Sequence, residues 1–168
     1  MVHSLDSRAA LSKLARLERA AGRLRLLAQV PEAEFAGSWQ LMDAAARNVE
    51  VAAQACVDLA NHIIARRGLP SPSSAAEAIR VLGDEGIVEE DLVQAVLPFV
   101  RLRNRLAHEY DRVGLADLRD ALRGLEPLRR FASAVAALLP TDRGPSTVRE
   151  PRVRYRKTPA KRRARSPK

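Results

Sequence analysis

Arg103, Asn104, His108 and Tyr110 fall within eight residues, inside the polar stretch 101–111 that reads RLRNRLAHEYD. Their types suit acid–base chemistry on a phosphate. An imidazole gains or loses its proton near neutral pH, so His108 can serve as base or acid. The planar donor fork of Arg103 matches phosphate oxygens and can steady the negative charge that builds on them during substitution at phosphorus. Asn104 stands four residues before His108, so a helix places both on one face, where the amide can orient the imidazole or a phosphate. Arg103 stands five before His108, about 140° around an ideal helix. Two arrangements would let them converge: a two-fold axis through two copies of the segment, or a helix that ends near Ala107. Tyr110 falls just past such a helix, with its hydroxyl in reach of the cleft rim.

Chance alone weighs differently on the parts of this pattern. With 25 arginines in 168 residues, an arginine five before a histidine is expected about 0.3 times by composition. Adding the asparagine and the tyrosine lowers that to roughly one in ten thousand or less. A purely structural explanation also competes. Cationic side chains near a helix C-terminus are favoured by the helix dipole whatever the protein does, and Tyr110 could pack on the next helix.

The flanking sequence predicts helices to hold this segment. Leu14, Leu17, Ala21, Leu24 and Ala28 form a stripe in a first helix over about 5–29, with Arg16, Arg19, Arg23 and Arg25 largely off it. Pro31 ends that helix or opens the next. Trp39, Met42, Ala46, Val49, Ala53, Cys56, Ala60 and Ile63 alternate steps of three and four, the apolar seam of a long second helix. Asp43, Arg47, Glu50, Gln54 and Asp58 mark a polar face of the same helix. On the seam Cys56 reads as core, and Asn61 and His62 as packing or capping residues. After a Pro/Ser loop, Ser74 and Glu77 have capping-box spacing for a short third helix that stops at Gly83. Glu89, Glu90 and Asp91 favour the start of a fourth, whose apolar side is Val93, Val96, Leu97, Val100 and Leu106. Pro98 should kink that helix or mark a fresh start. Leu115, Leu118, Leu122, Leu125, Leu128, Ala132, Val135 and Leu139 give a fifth helix, with Pro127 inside it.

Composition agrees with an all-α protein: six aromatic residues, few β-branched ones and much Ala, Leu and Arg. The single cysteine excludes an internal disulfide, and no apolar run reaches a membrane span, so a cytoplasmic protein without membrane contact is expected. The net charge of +9 is segregated. Residues 1–140 carry 18 basic and 18 acidic side chains, and residues 141–168 carry 11 against 2. The expected organisation is thus a helical domain over 1–140 and a disordered Arg/Lys/Pro-rich tail over 141–168.

The motif Arg103-Asn104-x3-His108-x-Tyr110 resembles the R-N-x-x-x-H-x-Y signature of the HepT toxins, a branch of the HEPN superfamily. The resemblance extends upstream through AAQACVDLANHIIARRGLPSP and AEAIRVLGDEGIVEEDL and covers about residues 5–139. Glu109 stands where many members have a small residue. The resemblance implies a five-helix HEPN-type bundle of up-and-down antiparallel helices and a homodimer, with higher assembly open. It implies a metal-independent endoribonuclease, without a cofactor, whose RNA substrate is cut where two motifs face each other. Arg103, Asn104 and His108 would be its catalytic residues, and Arg101 and Arg105 would line the RNA path or remain surface charge. It further implies a MntA-like nucleotidyltransferase antitoxin that silences the toxin by adding AMP to Tyr110. Two other readings stay open: a non-catalytic HEPN partner that binds nucleotide or RNA for a nucleotidyltransferase, and a helical scaffold. The basic tail could bind RNA phosphates or be a solvated extension.

Overall fold

The computed structural model describes residues 7–139. Its elements are α1 (Ser7–Ala28), α2 (Glu32–Ala36), α3 (Trp39–Arg67), α4 (Ala75–Asp84) and α5 (Glu90–His108). A 3-10 turn (Tyr110–Arg112), α6 (Leu115–Arg123) and α7 (Glu126–Leu138) follow. The described residues are all-α, an up-and-down bundle around α3. The expected tail over 141–168 lies outside the described residues.

α3 is central because its seam is small. Ala45, Ala52, Ala53, Ala55, Cys56 and Ala60 are fully buried, which lets α1 and α5 approach closely. Ser38 caps the start, its hydroxyl accepting from the Leu41 N–H at 3.3 Å. Gly68 closes the end in the left-handed region at φ 67°. There the Leu69 and Gly68 N–H groups bond the Ile64 and Ala65 carbonyls. The seam departs from expectation at its first member. Trp39 is 69% exposed, because the bundle's apolar layer begins a turn further on, at Met42 and Ala46.

Two further boundaries differ from the sequence pattern. The expected fifth helix is two, α6 and α7, parted at Gly124–Leu125. Pro127 lies in the first turn of α7, where its missing N–H costs no hydrogen bond. α4 runs through Gly83 to Asp84. Gly83 is there for contact, since a Cβ would stand 2.6 Å from Glu90 Oε2 and 2.9 Å from Val93 Cγ2. The capping pair also shifts: Glu77 N–H bonds Ser74, but the Glu77 carboxylate takes its hydrogen bonds from Ser73.

α2 is too short to hold as an isolated helix. Phe35 is fully buried under it, which contributes about 1.5–3 kcal/mol. Arg119 of α6 lies over the Phe35 ring at 4.9 Å and donates to the Val30 carbonyl at 3.2 Å. This buried guanidinium fastens α6 to the α1–α2 corner. α5 passes through Pro98 as one helix. Pro98 is on the exposed side, so the carbonyl it leaves unbonded faces water.

Candidate active site

The end of α5 carries the site. Its first turn is acidic, Glu90 and Asp91, and its last turn holds Arg105 and His108, both favourable against the helix dipole. Leu102 and Leu106 bury the inner face of that last stretch, which leaves the polar side chains between them to point outward. His108 is the final helical residue and is exposed. The helix thus ends within one residue of the expected place near Ala107, yet it keeps His108 helical, so its end does not bring Arg103 around to His108.

Arg103 is half-buried, and its Nη1 donates to Asn104 Oδ1 at 3.0 Å. It forms no ion pair among the described residues. It lines a recess of about 150 Å³ with Arg16, Arg47, Glu50, Gln54 and Ala107. Arg47 and Glu50 pair at 3.4 Å, and Arg16 and Asp58 at 3.6 Å. The carboxylates there already answer other arginines, so Arg103 keeps a guanidinium for an anion. Asn104 is exposed, one helical turn before His108. Arg103 and Asn104 are thus brought together, Asn104 and His108 share a face, and Arg103 and His108 do not meet within one chain. The His108 side chain makes no hydrogen bond or ion pair among the described residues. Tyr110 opens the 3-10 turn just past the helix, as its spacing predicts.

Arg105 has a different task from Arg103. Nη1 and Nη2 donate to Asp117 Oδ1 and Oδ2 at 2.8 and 3.1 Å, and Nη2 also reaches the Arg112 carbonyl at 3.1 Å. Asp117 Oδ2 accepts the Gly114 N–H at 3.0 Å, capping α6. The Arg105 fork, then the Gly114 amide, hold the Asp117 carboxyl below the usual carboxylate range. The pair ties α5 to α6 and frames the turn that carries Tyr110. Arg101 is exposed and lines the groove of about 540 Å³ between α5 and α6, together with Arg105. The larger recess between α1 and α6–α7, about 620 Å³, includes none of the motif residues.

Sequence reasoning missed that Arg16, Arg47 and Gln54 stand beside Arg103. The available signal was the polar face of α3, whose spacing runs along the helix that α5 packs on. It also missed Asp117 as partner of Arg105; the Gly114-x-x-Asp117 cap spacing was the hint. Cys56 is fully buried, and burial pushes its thiol up beyond reactivity at neutral pH.

The profile of the family described as ribonuclease HepT-like matches residues 17–135. The mRNA nuclease HepT of Shewanella oneidensis is 26% identical over 105 residues, 62% of this chain and 78% of that protein. The tri-AMPylated HEPN toxin of Shewanella oneidensis, solved in complex with MNT antitoxin, superposes with a TM-score of 0.72 at 23% identity. That match covers 79% of this chain and 99% of the toxin. The cytosolic protein of unknown function YutE from Bacillus subtilis superposes at 0.71 with 20% identity, covering 83% of this chain and 94% of YutE. At these identities the superpositions establish the fold. With the profile spanning all but the first turns and the end of the described bundle, the chain belongs to the ribonuclease HepT-like family.

Proposed function

We propose that the protein is the toxin of a HepT/MntA-type module, a metal-independent endoribonuclease with a site shared between two copies of the chain in the cytoplasm. The observation that carries the reading is Arg103, Asn104 and His108 together at the outward end of one helix with Tyr110 opening the turn after it, Arg103 and His108 both uncommitted to any carboxylate. In the reaction, the 2′-hydroxyl of the RNA attacks the adjacent phosphorus and the 5′-oxygen leaves. His108 moves the proton. Arg103 stabilises charge on the non-bridging oxygens. Asn104, bonded to Arg103 and one turn from His108, orients both.

The continuous α5 favours a homodimeric site. With Arg103 and His108 about 140° apart on one helix, a two-fold axis sets the arginine of one chain against the histidine of the other. The name of the Shewanella relative, an mRNA nuclease, supports the reaction class. The AMPylated toxin solved with MNT antitoxin supports a nucleotidyltransferase partner. Here Tyr110 would accept the AMP, placing a phosphate and a nucleoside in the RNA path to block it by bulk and charge.

The test is RNA cleavage by purified, unmodified protein. Loss of cleavage in His108→Ala and Arg103→Ala variants that still fold as dimers supports the reading, and unchanged cleavage overturns it. For the partner, intact mass after incubation with the nucleotidyltransferase and ATP should rise by AMP, and transfer that persists in Tyr110→Phe refutes the acceptor.

A further inference from the structure

Trp39 is the sole tryptophan of the chain, and at 69% it is the most exposed large apolar side chain among the described residues. It opens α3 and lines a notch of about 130 Å³ with Met42, Asp43, Leu106 and Val113. Trp39, Met42, Asp43 and Ala46 of the notch lie on α3 directly before Arg47, which lines the recess of Arg103, so the notch opens about one helical turn from that recess. We propose that Trp39 is a stacking platform for one nucleobase of a single-stranded RNA, seated next to the phosphate that Arg103 and His108 address. The proposal rests on the ribonuclease reading and adds a base-binding subsite to it.

Three observations select a base as the occupant. The α3 seam is buried from Ala46 onward, so the fold gains little from an indole left in water at its head. The notch is sized for one planar ring and not for a helix about 10–12 Å across. The other exposed large apolar side chains, Leu11, Leu26 and Leu138, do not line it, so no broad apolar patch surrounds it as a protein partner would need. Every base offers a π-face to an indole, so the subsite would tolerate sequence and hold the strand in place.

As the sole tryptophan, Trp39 reports on itself. Its emission is followed while the His108→Ala protein, which should leave RNA uncut, is titrated with a short single-stranded RNA. A parallel titration uses an abasic sugar–phosphate chain of the same length. The proposal expects quenching by RNA and little by the abasic chain. In cleavage assays, Trp39→Ala should raise KM about five- to hundredfold while kcat stays within about threefold, and Trp39→Phe should recover most of the loss. Emission that ignores RNA, or answers the abasic chain equally, overturns the proposal. So does a blue-shifted emission that responds to protein dilution without RNA, which would mean a second copy covers the notch. If the wild-type protein cleaves no RNA, the ribonuclease reading fails while the titration still decides whether the indole meets a base.

Discussion

Arg105 grips Asp117 through both ends of its fork, at 2.8 and 3.1 Å, while Asp117 caps α6 through the Gly114 amide at 3.0 Å. One carboxylate thereby fixes the angle between the motif helix and the next helix, and with it the turn that starts at Tyr110. The sign of its pH dependence follows from the depressed Asp117 pKa. The contribution is present above the ordinary carboxylate value of about 3.9 and is lost as pH falls through the lower folded-state value. Melting temperature followed from about pH 6 to about pH 2 should show a shallower acid decline in Asp117→Asn than in the parent. In the same variant the Gly114 amide should exchange with deuterium about tenfold faster or more at neutral pH. Identical acid limbs and exchange rates would remove this role.

Arg119 tests the other anchor of α6. It is 9% exposed, stacked on Phe35 and bonded to the Val30 carbonyl. Arg119→Ala should lower unfolding free energy by about 1–3 kcal/mol in urea titration. RNA binding, by contrast, should change little, since this guanidinium faces inward.

Cys56 should resist thiol reagents in the folded protein, because it is fully buried and burial raises its thiol pKa. Adding denaturant to the reaction should expose one titratable thiol per chain. Rapid labelling without denaturant would show that the α3 seam opens.

Much of this was legible beforehand because burial follows periodicity. The seam from Ala46 to Ile63 and the α5 face from Val93 to Leu106 are buried where the spacing places them. Periodicity does not say where a layer stops, which is why Trp39 reads as core and stands exposed. Nor does it reveal breaks set by contact. Gly83 stays helical because α5 presses on it, whereas Gly124 parts two helices with no such neighbour. At the site, residue types singled out Arg103, Asn104 and His108, of which the fold brings Arg103 and Asn104 into contact. They could not distinguish Arg103 from Arg105, because the Asp117 that engages one of them lies twelve residues on and across a turn.

Residues 141–168 lie outside the described residues but hold the whole net charge of +9. Removing them should flatten the dependence of RNA affinity on salt. The log–log slope should fall by about 0.7 for each RNA phosphate that the tail neutralises. An unchanged slope would mean that the tail takes no part in binding.

The shared site is tested most directly by mixing two inactive proteins. Arg103→Ala and His108→Ala chains are unfolded together, refolded and assayed on RNA beside each variant refolded alone. A site built from the arginine of one chain and the histidine of the other leaves one intact site in every mixed dimer. Roughly a quarter of the parental activity should then return. Mixed dimers that form but cleave no RNA would contradict the two-chain site, because each chain alone would then have to supply both groups.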